Sequence, residues 1–178
     1  MENKQLAKSV FQAAHLTGTF TLRSGKISNV YFDKYQFESR PELLRELARA
    51  MADLLPPNTE VLAGLEVGGI PLATAISLHT GLPVAFIRKK AKEYGTMRVS
   101  EGADLSERNI VIIEDVITSG GQVLLSAEDI RSLGGTILGC ICVIDRESGG
   151  REALAEAGVN LRSIFTMSEL QAAAADER

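Results

Sequence analysis

Cysteine and histidine are scarce here, two of each in 178 residues. Cys140 and Cys142 stand two apart in the apolar run 137–144, so they share one face of a strand. Same-strand neighbours do not suit a disulfide, and no further ligands surround them, so they read as buried thiols. His15 and His79 are isolated and read as helix-end or surface residues. No Ser-His-Asp or zinc pattern forms. No apolar run approaches the roughly 18 residues that a membrane-spanning helix needs. The start, Met1-Glu-Asn-Lys-Gln, lacks the apolar core of a signal peptide, so the expected address is cytoplasmic and no membrane partner is expected. A basic excess is missing too. With 19 Lys and Arg against 23 Asp and Glu the net charge is −4, which makes nucleic acid a poor default partner.

What is present is globular composition, 45% hydrophobic and 24% charged. The length suits one domain with a full core. No repeat or linker interrupts it, so residues 1–178 are expected to be a single domain.

The stretch 109–123 organises the chain. Residues 110–113 are a run of branched apolar side chains, which reads as a strand buried on both faces. Glu114 and Asp115 follow at once. Thr118, Ser119, Gly120 and Gly121 then make a small polar turn. Beyond it Val123, Leu124, Ala127, Ile130 and Leu133 have helical spacing, with Ser119 or Thr118 as the expected N-cap. A helix N-terminus offers unpaired N–H groups and partial positive charge. The glycines let backbone approach a phosphate, and the hydroxyls add donors. The carboxylates suit hydroxyls on the same ligand, or a metal. Together these features ask for a phosphate with a diol a few ångströms away, as in a sugar phosphate. An acid pair alone would read as a solvated strand end.

The rest of the chain alternates. Leu6, Val10, Phe11 and Ala14 predict an amphipathic helix over 5–15, ended by Gly18. Residues 19–32 read as a β-hairpin carrying Arg23, Lys26, Tyr31 and Phe32, which could cover a flat aromatic anion. Ser24-Gly25-Lys26 does not complete a Walker A loop, because position 20 is Phe where the leading Gly belongs. Ser39-Arg-Pro-Glu42 reads as a capping box before a long amphipathic helix that Pro56-Pro57 stops. Residues 61–65 form a strand, 66–69 a glycine turn and 70–78 a helix. The turn is not a dinucleotide fingerprint. After the strand 83–87, residues 88–108 show no apolar periodicity. A structureless loop of about 20 residues is uncommon and is often a functional lid. Arg88, Lys89, Lys90 and Lys92 give it a local cationic excess suited to a diphosphate. A strand over 136–144 ends in Asp145-Arg146, where an arginine would face the ligand end of an open sheet. A short helix, a last strand over 160–165 and a helix over 167–175 close the chain. Parallel-type strands alternating with helices predict an α/β fold, a doubly wound and mainly parallel sheet with a small N-terminal hairpin and helix hood over 1–38.

The segment from Val111 to Gly121, Val-Ile-Ile-Glu-Asp-Val-Ile-Thr-Ser-Gly-Gly, resembles the phosphoribosyl pyrophosphate (PRPP) motif of the type I phosphoribosyltransferases. Leu22-Arg-Ser-Gly-Lys with Tyr31-Phe-Asp resembles the hood of the orotate phosphoribosyltransferases, although Arg23 stands where a Lys is common. Gly64-Leu-Glu-Val-Gly-Gly resembles their pyrophosphate loop, although Val67-Gly68 replaces a Tyr-Lys pair found in some relatives. Residues 88–95 resemble their catalytic loop, with Tyr94 where His is usual. The resemblance implies transfer of the 5-phosphoribosyl group from PRPP to orotate. It also implies magnesium carried on PRPP rather than bound directly by the protein, and a homodimer that shares the mobile loop 88–108 across subunits. By the same resemblance Glu114 and Asp115 hold the ribose hydroxyls, and Val116, Ile117, Thr118, Ser119, Gly120, Gly121 and Gln122 surround the 5-phosphate. Arg88, Lys89 and Lys92 contact PRPP and pyrophosphate, with Lys89, Lys92 and Asp115 in catalytic roles. Tyr31, Phe32, Thr118 and Arg146 bind orotate, Arg146 through a fork of two bonds to its carboxylate. Arg23 and Lys26 are further phosphate or pyrophosphate contacts. The alternatives are a phosphoribosyltransferase for a purine or other base, and a PRPP-sensing regulator of the same fold.

Overall fold

Apolar spacing of three and four residues builds α1 (Asn3–Ala14), which buries Leu6, Ala7, Val10, Ala13 and Ala14. In this computed structural model, which describes residues 2–21, 25–89 and 99–175, α1 leads directly into a hairpin. Its strands are β1 (His15–Thr21) and β2 (Ile27–Phe32), paired antiparallel from His15 opposite Phe32 to Thr21 opposite Ile27. Gly18 does not end the helix, as expected from sequence. It lies inside β1, where the register shifts between Thr17 and Phe20. An irregular strand accommodates a residue without a side chain, so the glycine marks a bulge rather than a cap.

A short helix that the sequence pattern did not announce, α2 (Tyr35–Glu38), follows. Ser39 then departs from its expected role. It donates to the Gln36 carbonyl and closes α2, while α3 (Pro41–Ala52) is capped at Arg40 without a side-chain bond. α3 buries Leu43, Leu47, Ala48 and Met51. Each large apolar side chain buried this way contributes about 1.5–3 kcal/mol.

The remaining chain winds the sheet. β3 (Val61–Leu65), α4 (Gly69–Thr80), β4 (Val84–Ile87), β5 (Ser100–Gly102), β6 (Asn109–Ile117), α5 (Gly121–Ser132), β7 (Thr136–Asp145), α6 (Gly150–Glu156), β8 (Leu161–Thr166) and α7 (Met167–Ala175) complete it. The strand order is β5-β4-β3-β6-β7-β8. Five strands are parallel, and β5 adds an antiparallel edge to β4. Three residues of the segment expected to lack regular structure therefore belong to the sheet. Arg88 N donates to Val99 O and Ala103 N to Val84 O around that edge, so ladder bonds rather than apolar pattern hold it.

Alternation along β6 divides the core. Val111 and Ile113 face α1, α3, α4 and α7. Ile110 and Ile112 face α5 and α6. Both faces are covered, which is why the strand reads as an unbroken apolar run. The chain reverses direction across the sheet between β3 and β6, and such a switch point opens a crevice at the strands' carboxyl ends. No helix among the described residues is long and apolar enough to cross a membrane.

Candidate functional site

β6 does not stop at the apolar run. It continues through both acids to Ile117, and the ladder to β7 reaches Ile117 opposite Asp145. The chain then turns through Thr118, Ser119 and Gly120 into α5. Gly120, not Ser119 or Thr118, is the N-cap, at φ 76° and without a side-chain cap bond. Left-handed backbone there delays the helix by a residue, and a Cβ on Gly120 would also stand 3.2 Å from Leu154 Cγ. The two hydroxyls are thereby left exposed in the turn instead of being used to cap it. Glu114, Val116, Ile117 and the residues from Thr118 to Val123 line a cup of about 180 Å³ around this helix start. Free N–H groups of a first turn make such a cup receptive to an anion.

Behind the cup sits a charged cluster. Asp115 is fully buried, Glu114 nearly so at 9% exposure, and Glu38 of α2 joins them at 6%. Lys34 Nζ stands 2.6 Å from Asp115 Oδ2. Asp115 N donates to Glu114 Oε1 at 2.9 Å, and Val116 N donates to Asp115 Oδ1. Burial pushes the Glu114 carboxyl well above the usual range, and the neighbouring Asp115 adds to it. Burial, then the hydrogen bond and charge of Asp115, lifts Glu38 to about 9. For Asp115 burial acts upward, but hydrogen bonds with Glu114, Lys34 and Glu38 outweigh it and hold the group below its ordinary value. Burial likewise opposes the Lys34 charge, and Asp115 overcomes it, so the ammonium is held more firmly than usual. The cluster thus sets an Asp115 carboxyl held toward its charged form between the Lys34 ammonium and two carboxyls, Glu38 and Glu114, that burial pushes toward the neutral form. Glu38 Oε1 and Asp115 Oδ2 accept no well-formed hydrogen bond, despite the ammonium beside the latter. A proton on Glu38, donated to Asp115, answers for both.

The turn 66–69 packs directly on this cluster. A Cβ on Gly68 would lie 1.6 Å from Asp115 Oδ2 and 3.0 Å from Glu38 Oε1, so no side chain fits there. The preceding Glu66–Val67 peptide is cis.

A larger cavity, about 790 Å³, opens on the other side. The hairpin supplies Tyr31 and Phe32, the following segment Lys34, and the β6 and β7 ends Thr118 and Arg146. Phe32 is tilted against Phe11 at 6.3 Å, and Tyr31 against Phe20 at 5.5 Å. Arg146 N donates to Ile117 O, which fixes its backbone beside Thr118. Its side chain is exposed, and its acidic neighbours are engaged elsewhere. Asp145 pairs with Arg151 at 2.9 Å, and Glu147 accepts from Ser168 N and Oγ.

The fold thus gathers Tyr31, Phe32, Val116, Thr118 and Arg146 in one cavity, and Glu114 with residues 116–122 in the adjoining cup. Asp115 lines neither, because Lys34 covers it. Arg88 and Lys89 follow β4 and line neither cavity, and Lys26 is exposed on the hairpin, also outside both. Arg23, Lys92 and Tyr94 lie outside the described residues. Sequence reasoning missed Lys34, Glu38 and His15. His15 was expected to be an isolated helix-end or surface residue. It does follow α1, but it stacks on Phe11 at 4.8 Å and lines the larger cavity. The one available signal was a lysine two residues beyond Tyr31-Phe32, and it carries no motif by itself.

Comparison with known proteins agrees with this geometry. The family model described as "Phosphoribosyl transferase domain" matches residues 35–163. An orotate phosphoribosyltransferase of Nocardioides sp. is 47% identical over 168 residues, covering 94% of each chain. That of Methanocella arvoryzae is 41% identical, covering 86% of this chain and 87% of its own. Among solved structures, the Mycobacterium tuberculosis orotate phosphoribosyltransferase in complex with Fe(III) dicitrate has a TM-score of 0.86 at 29% identity, over 94% of this chain and 98% of that one. The same enzyme in complex with PRPP has a TM-score of 0.82 at 26% identity, over 95% and 98%. An anion cup, a buried acid pair and a cation-lined cavity meet at one switch point, in a chain that belongs to the phosphoribosyl transferase domain family and, within it, to the orotate phosphoribosyltransferases.

Proposed function

We infer that the chain transfers the 5-phosphoribosyl group of PRPP to orotate, giving orotidine 5-monophosphate and pyrophosphate. The observation that carries this reading is the buried acid pair set between a phosphate-sized cup and a cavity edged by Arg146 and Thr118. In the reaction the bond from the anomeric carbon to the diphosphate oxygen breaks, a bond from orotate N1 to that carbon forms, and the N1 proton passes to the departing diphosphate. The 5-phosphate sits in the cup on the α5 N-terminus, with Val116, Ile117, Thr118, Ser119, Gly120, Gly121 and Gln122 around it. Glu114 and Asp115 take the ribose hydroxyls. Arg146 meets the orotate carboxylate, Thr118, Tyr31 and Phe32 border the ring, and Arg23 and Lys26 reach a phosphate. The charge of orotate lies on its carboxylate, so Arg146 orients the ring with N1 toward the anomeric carbon, and the departing diphosphate is the acceptor for the N1 proton.

Arg88, Lys89 and Lys92 stabilise the departing diphosphate. Magnesium comes with PRPP as part of the substrate and neutralises charge on the leaving group. Among the described residues no cluster of three or more His, Cys, Asp or Glu could hold an ion by itself. The segment 88–108 closes over the site, excludes water and serves the neighbouring subunit of a homodimer in the cytoplasm.

The test is orotate consumption with PRPP and magnesium, read by the loss of orotate absorbance. Turnover of hypoxanthine but not orotate would move the assignment to a purine enzyme. Tight PRPP binding without turnover, combined with nucleic-acid binding, would mark a regulator.

A further inference from the structure

Among the described residues, none of the cations expected for the leaving diphosphate lines the cup or the larger cavity. Arg88 and Lys89 line neither cavity, and the turn Glu66-Val67-Gly68-Gly69 contains no cation. Lys34 is the exception. Its ammonium lies 2.6 Å from Asp115 Oδ2, and that oxygen lies 1.6 Å from where a Cβ on Gly68 would be. The same side chain lines the larger cavity with Thr118 and Arg146. One side chain therefore reaches both the space for the base and the acid that takes the diol, on the carboxylate oxygen against which the glycine turn packs. In a ribosyl diphosphate these three groups converge on the anomeric carbon.

Asp115 is fully buried under Lys34, so ribose hydroxyls reach it only if the ammonium moves. Lys34 has room to do so, because its side chain is 35% exposed on the cavity side. An ammonium parted from its carboxylate beside a buried cluster needs another anion. Carbon 2 of the ribose, whose hydroxyl displaces Lys34, is bonded to carbon 1, which carries the diphosphate. The nearest new anion is the leaving group.

We propose that Lys34 is a diphosphate ligand, held on Asp115 in the free protein and passed to the leaving group when the ribose diol takes its place. This deepens the transferase reading above and rests on it. Lys34 donates hydrogen bonds and charge to the oxygen that receives the electron pair of the breaking bond. It keeps its proton throughout.

Calorimetric titration of wild type, Lys34→Gln and Lys34→Arg with magnesium pyrophosphate, and separately with ribose 5-phosphate, tests this. Lys34→Gln should bind pyrophosphate about tenfold more weakly, the size of one charge-assisted hydrogen bond. Its affinity for ribose 5-phosphate should hold or rise, because Asp115 is uncovered. Lys34→Arg should recover most of the pyrophosphate affinity. Should Lys34→Gln not fold, wild-type protein answers by acylation. Pyrophosphate should shield Lys34 from an amine-acylating reagent, read by peptide mass spectrometry, and ribose 5-phosphate should not. Unchanged pyrophosphate affinity in Lys34→Gln, loss of ribose 5-phosphate affinity instead, or no shielding would overturn the assignment. Wild type that turns over no orotate would instead bring down the transferase reading, and this proposal with it.

Discussion

Replacing Glu38 with Gln isolates the proton that the acid cluster holds. Glu38 lies on α2 at 6% exposure, beside Asp115, with Lys34 and Glu114 as its other charged or titratable neighbours. Burial, then Asp115, raises its pKa to about 9, against an ordinary value of 4.5. Between those limits the folded protein keeps a proton that the unfolded chain has released. The unfolded state then binds fewer protons, so stability falls as pH rises, by about 1.4 kcal/mol per pH unit for one group. The contribution is complete below the unfolded pKa and is lost as pH climbs through the folded one. Gln keeps the shape and a donor toward Asp115 but has no proton to lose. From pH 6 to pH 8 the variant should therefore gain on wild type by about 3 kcal/mol. Urea unfolding at pH 6, 7 and 8 measures this. Circular dichroism is the suitable probe, because the chain has no tryptophan. Wild-type and variant stabilities that run parallel across this range would mean that Glu38 is ionised in the fold, and the proton assignment would be wrong.

Three other perturbations probe the site directly. Arg146→Ala should raise the orotate KM at least tenfold, the loss of a charge-assisted fork, and leave the PRPP KM nearly unchanged in steady-state assays. Lys89→Ala should mainly lower kcat, a loss made in the transition state; an effect confined to KM would reassign Lys89 to binding. Gly68→Ala drives a methyl into Asp115 Oδ2, so the PRPP KM should rise and thermal unfolding should report about 1–3 kcal/mol of destabilisation.

Much of this molecule is written in local pattern. Mostly apolar runs at 61–65, 110–113 and 136–144 specify strands because burial on both faces leaves no polar alternation. The acid pair and glycine turn after 113 announce an anion site, because helix starts and left-handed glycines are local features. The failures are also physical. Gly18 and Ser39 carry the right residue types for a helix stop and a cap, but β1 pairing with β2 and the end of α2 claimed them first. The edge strand β5 has no apolar signal, because its order comes from bonds to β4.

The sequence by itself determined the elements other than α2 and β5, the mainly parallel sheet and the kind of ligand. Each of these depends on side chains adjacent in the chain or repeating at a fixed period. Tertiary structure alone decided that Lys34, Glu38 and Asp115 meet, that Gly68 must stay bare against them, and that His15 faces the cavity. Those contacts join residues up to 81 positions apart, Lys34 to Asp115. The charge state of the cluster follows from burial and proximity, which no spacing along the chain encodes.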